Sequence, residues 1–140
     1  MAKSSDILTR RLRITPFEER HITEVYLSWL NDRVLMRYSE QRHARHTVES
    51  CRAYRSRFET EPGFFWAIEE MEQGLGHIGN INAHVDTVNR IADVGLLIGD
   101  ARGAGRHYGL EAWIGVCGFL FGNTNVRKVT GDVSRTMCRC

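Results

Sequence analysis

The sequence predicts a mixed α+β domain in the order β-α-α-β-β-β-α-β, and three observations predict it. Apolar residues recur every three or four positions up to about residue 60 and alternate after it, so helices give way to strands. Three strand-like runs then follow one another across short turns, which is an antiparallel meander. The last of them leads into a glycine-rich loop and a second helical pattern. No internal repeat or linker divides the chain, which reads as one domain over 9–140 behind a loose leader, 1–8.

Taken in order, Thr9 to Ile14 alternates well enough for a first strand. Thr15, Pro16 and Glu18 then read as N-cap, first helical residue and the far side of a capping box. The helix they open should bury Ile22, Val25, Tyr26, Trp29 and Leu30, with a further turn over Val34 to Tyr38. Thr47 opens a second helix carrying Val48, Cys51, Tyr54 and Phe58, which stops before Pro62 and Gly63. Phe64 to Ile68, Leu75 to Val85 and Ile91 to Ile98 are the meander strands, with turns at 72–74 and 86–89. A helix over about 106–121 places Leu110, Ile114, Cys117 and Leu120/Phe121 on its apolar face, and Gly122 closes it. Val126 to Gly131 is the last strand.

Composition narrows the function classes. Apolar residues make up 42% and charged ones 26%, as in a globular domain. A net charge of +2 gives no case for nucleic acid or a membrane surface. The arginines between Arg33 and Arg57 are interleaved with Glu40, Glu49 and Glu59, which describes a solvated face. No run is long enough to span a membrane and the N-terminus lacks a signal peptide's apolar core, so the expected compartment is the cytoplasm. Cys51 and Cys117 read as core thiols, Cys138 and Cys140 as a terminal pair without a partner pair, and the six histidines are dispersed, so no metal site is expected.

The chemistry concentrates after Val94 to Ile98, a run short enough for a buried strand. Gly99, Gly103, Gly105 and Gly109 alternate with Arg102 and Arg106 before the helical pattern begins. A strand, a glycine-rich turn and a helix N-terminus together make an anion site, because free N–H groups and the helix dipole both favour negative charge. A phosphate-bearing ligand is the first inference. A dinucleotide fold is disfavoured, since its loop follows the first strand of a βαβ unit and not a meander.

Here the sequence resembles the GNAT superfamily of acetyl-CoA-dependent N-acyltransferases, within it the RimJ/RimL-like branch. The resemblance is carried by Arg11-Leu-Arg-Ile-Thr-Pro16, Trp29-Leu-Asn-Asp32, Phe65-Trp-Ala-Ile68 and Gly76-His-Ile-Gly79. It continues through Asp93-Val-Gly95, Gly109-Leu-Glu-Ala112 and Asn125-Val-Arg-Lys-Val129, and so spans residues 10–130. It implies a mostly antiparallel GNAT-like sheet flanked by helices. It also implies acetyl-CoA as co-substrate, with its pyrophosphate in a loop that falls on Ala104, Gly105, Arg106, His107, Tyr108 and Gly109. Ala104 replaces a polar or aromatic residue and His107 a glycine; His107 would serve through its N–H if its φ is negative. A shifted register through Arg102, Gly103 and Gly105 is the alternative.

The resemblance further implies that backbone amides of Leu96, Leu97 and Ile98 polarise the thioester. Asp93 would be the base, acting through water because it is shorter than the family's usual Glu; the plain alternative is an Asp that ends a hairpin. Asn80, Asn82 and His84 alternate onto one strand face opposite Ile81 and Val85, and are candidates for the acceptor or simply a solvated stripe. Glu111 complements the helix dipole, and Trp29 and Trp66 read as core.

Family members continue with a further helix and two strands, whereas this sequence ends after Ser134 to Cys140 and has no tyrosine beyond Tyr108. A truncated product, a chosen fragment, or a homo-oligomer covering the open sheet edge would each account for that, and truncation is the expectation. The function expected is acetyl transfer from acetyl-CoA to a primary amine by direct attack. The acceptor would be a small-molecule or peptide amine, such as a protein N-terminus or amino sugar. Arg33, Arg37, Arg42 and Arg45 around the acceptor region disfavour a polycation. The alternative is a non-catalytic acyl-CoA-binding module or inactive product.

Overall fold

The computed structural model describes residues 6–36 and 45–131. One six-stranded sheet organises them, with strands in sequential order: β1 (Ile7–Leu8), β2 (Leu12–Pro16), β3 (Gly63–Glu70), β4 (Gly76–Asp86), β5 (Ile91–Ile98) and β6 (Lys128–Gly131). Every neighbouring pair is antiparallel except β5 and β6, whose crossover is the helix α3 (Tyr108–Asn123). The mixed α+β sheet expected from the sequence is what the chain forms. Helices α1 (Glu24–Leu30) and α2 (Val48–Thr60) cover the opposite face.

Two apolar layers result. Leu12, Ile14, Phe64, Trp66, Ile68, Ile81 and Val94 pack with Tyr108, Ala112, Val116 and Leu120 of α3. Phe17, Phe65 and Ala67 pack with Tyr26, Trp29 and Cys51 on the other side. Strand β3 lies between the layers, which is why Phe64 to Ile68 is a continuous apolar run and not an alternating one.

Several local expectations need correcting. Ile7 and Leu8, read as leader, pair with Ile14 and Arg13. Thr15 and Pro16 do not open a helix: they continue β2 against Ala67 and Trp66. Pro16 sits at the end of the strand, where its missing N–H is tolerated. Glu18 caps a single 3-10 turn at 19–21, and the N-cap of α1 is Thr23, whose hydroxyl accepts from Tyr26 N–H at 3.1 Å. Val25 is 58% exposed. Thr47 does cap α2, as expected, in a reciprocal box with Ser50.

The largest correction concerns α3. Its buried residues are Tyr108, Gly109, Ala112, Val116 and Leu120, while Leu110, Ile114 and Phe121 are 48%, 61% and 51% exposed. Small residues at 109 and 112 let the helix lie close to a sheet already filled by Phe64 and Trp66, so the bulky ridge turns outward. Gly122 lies inside the helix, and Thr124 is its C-cap.

Candidate functional site

The loop after β5 folds from its own polar residues. Asp100 accepts from Arg102 N–H at 2.9 Å and pairs with the Arg102 guanidinium at 2.7 Å, closing a 3-10 turn over Ala101–Gly103. That hydrogen bond holds the Asp100 carboxyl below its usual range against the opposing effect of burial. Arg102 is therefore occupied within the turn. Gly105 follows at φ +75°. His107 is at φ +60° as the N-cap of α3, in the left-handed region where the family pattern has glycine, so the condition of a negative φ is not met.

This geometry frees a row of donors. Gly103 and Ala104 donate to Asp100 O and Ala101 O, and Glu111 N–H donates to His107 O. Among the described residues the N–H groups of Gly105, Arg106, His107, Tyr108, Gly109 and Leu110, between those bonds, have no acceptor. They lie at the positive end of a 16-residue helix. Arg106 is exposed and makes no salt bridge among the described residues. Acceptor oxygens of a phosphate suit these donors, and among the described residues no carboxylate competes for them.

Tyr108, read as a ligand residue, contributes only its backbone. Its side chain is fully buried, with the hydroxyl donating to Glu70 Oε2 at 3.1 Å and the Arg11 guanidinium 4.4 Å over its ring. Glu70 also accepts from Gln73 and Leu75 N–H. Burial raises the Glu70 carboxyl and these donors together outweigh it, leaving it below 4.5. Glu111 bridges Thr9, the Arg11 N–H at 2.9 Å and its guanidinium at 2.7 Å, tying the β1–β2 turn to the first turn of α3. The start of α3 is thus anchored to two other strands. Glu70 carries no motif, and nothing in the sequence marked it.

Strand β5 divides its backbone between two neighbours. Gly99 N–H donates to Ile78 O, which sets the parity of the ladder. Leu97, paired with Asn80, therefore turns its N–H and C=O toward β4, and Leu96 and Ile98 turn theirs toward β6. The described β5–β6 ladder ends at Val94 and Gly131. Of the three residues expected to offer amides, Leu96 and Ile98 face the open side and Leu97 does not. Gly99 also meets Trp29, and a Cβ there would stand 2.1 Å from the indole.

The polar stripe on β4 faces α1 and α2. Asn82 Nδ2 donates to the Tyr54 hydroxyl at 2.9 Å, and its Oδ1 accepts from Gly95 N–H at 3.2 Å. His84 packs on Phe58 and is the cross-strand neighbour of Asp93. Asp93 is exposed and accepts from the Thr130 hydroxyl at 3.1 Å. Asn82, His84 and Asp93 therefore share one face. Asn80 lies deeper, 7% exposed, accepting from His77 Nε2 at 2.9 Å. A bulge opposite Ile68 and Glu69 brings His77 onto the Asn80 face. There Phe17, His21, Tyr26 and Trp29 surround its ring, and burial lowers its pKa. Alternation hid His77, because the bulge changes its face. Arg37, Arg42, Cys138 and Cys140 lie outside the described residues; Arg33 and Arg45 are exposed. Among the described residues no cluster could hold a metal ion and no helix is long and apolar enough to cross a membrane.

Comparison with known proteins agrees with this architecture. A family model described as an acetyltransferase (GNAT) domain matches residues 11–136. The chain belongs to the GNAT acetyltransferase family, and is an acyltransferase by that membership. Among solved structures it is similar to a GNAT-family acetyltransferase from Bacillus anthracis, at 16% identity and TM-score 0.71, over 90% of this chain and 72% of that one. It is also similar to an aminoglycoside acetyltransferase in complex with coenzyme A and kanamycin, at 20% identity and TM-score 0.65, over 87% and 73%. A third similarity is to a spermidine N-acetyltransferase chimera from Vibrio cholerae, at 14% identity and TM-score 0.61, over 85% and 68%. At these identities the likeness concerns the fold. No curated protein gave a significant match.

Proposed function

We propose that this chain is a RimJ/RimL-like N-acetyltransferase that moves the acetyl group of acetyl-CoA to a primary amine by direct attack. The observation that carries the reading is the row of N–H groups from Gly105 to Leu110 at the start of α3, which have no acceptor among the described residues. The pyrophosphate would sit on residues 104–109, with Arg106 adding charge. The acyl carbonyl would lie along the Leu96–Ile98 edge of β5, where a backbone N–H can donate a hydrogen bond to the developing oxyanion.

The acceptor amine would approach from the α1–α2 side, past Asn82 and His84, with Asn80 supporting His77 below them. Asp93, through a water molecule, takes the proton as the C–N bond forms. The C–S bond then breaks, and the departing thiolate takes up a proton to leave as free coenzyme A. The exposed arginines at 33 and 45 favour a neutral or anionic amine, a peptide N-terminus or amino sugar, over a polycation. The cytoplasm suits that substrate range.

The test follows release of free thiol when the chain is mixed with acetyl-CoA and a panel of peptide, amino-sugar and polyamine acceptors. Acceptor-dependent thiol release, lowered about 100-fold or more by Asp93→Ala with coenzyme A affinity unchanged, supports the reading. Tight coenzyme A binding without turnover on any amine would instead identify an acyl-CoA-binding module.

A further inference from the structure

The outward ridge of α3 is unusual in that nothing on it is charged. Leu110, Ile114, Gly118 and Gly122 follow one another at four-residue spacing, so they form one ridge, flanked by Phe121 and Cys117. Leu110, Ile114 and Phe121 are about half exposed or more, and a Cβ placed on Gly118 or Gly122 would meet nothing within 4 Å. Glu111, the one charged residue in the helix, is turned away to Thr9 and Arg11.

The order along the ridge is two large residues and then two glycines. A two-fold axis that runs α3 antiparallel to a copy of itself, centred at residue 116, sets Ile114 on the copy's Gly118 and Leu110 on its Gly122. The same operation sets each glycine under the copy's side chain. A ridge of this spacing suits the crossing in which four-residue rows interdigitate, and glycine lets the helices approach closely. Charge agrees with that direction, because antiparallel pairing sets the positive N-terminal end of each α3 dipole beside the negative C-terminal end of the copy's. We propose that the exposed ridge of α3 is a self-association surface, occupied by the α3 ridge of a second copy with Ile114 seated on Gly118.

One helix pair is a small contact beside stable complexes, which bury about 1,200 Å² or more in total. The dimer is therefore weak and depends on concentration. It is separate from the edge of β6 and does not depend on the acyltransferase reading.

The experiment is sedimentation of the 140-residue protein under reducing conditions across a wide concentration range, with circular dichroism and coenzyme A titration as checks on fold. The wild-type mass should rise toward twice 16.1 kDa, and Ile114→Glu should remove the rise with the spectrum unchanged. Gly118→Leu separates specific from general stickiness. It adds apolar area and helix propensity, so non-specific association would strengthen, whereas filling the glycine seat should weaken the dimer at least tenfold. A monomer at every concentration, or a dimer that survives Ile114→Glu or strengthens with Gly118→Leu, overturns the proposal. The ridge would then be covered by the chain's own remaining residues or by another protein.

Discussion

At the scale of single residues, the loop before α3 rests on two backbone conformations and one buried carboxylate. Gly105 takes its positive φ without cost, and His107 takes a similar one at a cost of about 1–2 kcal/mol. His107→Gly should relieve that strain, offset in part by greater freedom in the unfolded chain, and stabilise the protein by up to about 1 kcal/mol. His107→Val should destabilise it by more. Urea unfolding measures both, and a loss of stability in the glycine variant would contradict the conformation described here. Glu70 acts at a distance, through the Tyr108 hydroxyl and the turn at Gln73 and Leu75. Glu70→Ala leaves the buried Tyr108 hydroxyl and two part-buried N–H groups without their acceptor and should cost about 2–4 kcal/mol in the same measurement.

At the scale of elements, legibility followed how far each element depends on its own residues. Strand β5 and the Thr47 cap of α2 were readable because turns and caps are local. The start of α1 was not: Thr15, Pro16 and Glu18 carry every local mark of a helix N-terminus, and pairing with Ala67 and Trp66 overrides them. The buried face of α3 was misread for the converse reason. Counting bulky residues selects Leu110, Ile114 and Phe121, but the sheet beneath already supplies Phe64, Trp66 and Ile68 and leaves room only for small ones. In the site, the glycine-rich turn between β5 and α3 is legible from its own residues, while the roles of Glu70 and His77 depend on a long-range contact and on a bulge that no sequence period records. The contact of Gly99 with Trp29 joins α1 to the end of β5. Gly99→Val drives side-chain atoms into the indole and should cost about 1–3 kcal/mol. Trp29→Ala should make the same glycine substitution nearly neutral, so a double-mutant cycle that adds without coupling would contradict the contact.

At the scale of the whole molecule, titration gives a further expectation. The carboxyls of Glu70 and Glu111 lie below their usual 4.5, because their donors outweigh burial. The folded protein thus holds fewer protons than the unfolded chain, and their contribution is present above pH 4.5 and lost as pH falls through the lowered values. Burial also lowers the His77 pKa from 6.5, so the unfolded chain protonates first there too. Stability should be flat near neutrality, begin to fall below about pH 6.5 and fall steeply below about pH 4.5. Thermal unfolding against pH checks this: His77→Gln should remove the shallow part of the slope, and Glu70→Gln should reduce the steep part.

The proposed function requires the start of α3 to take the phosphates of coenzyme A. Calorimetric titration of the 140-residue chain with coenzyme A and acetyl-CoA tests it most directly. Micromolar binding is predicted, weakened about three- to tenfold by Arg106→Glu, which touches no buried group. A folded sample that binds neither ligand, or binds both equally well with Glu at 106, would contradict the claim.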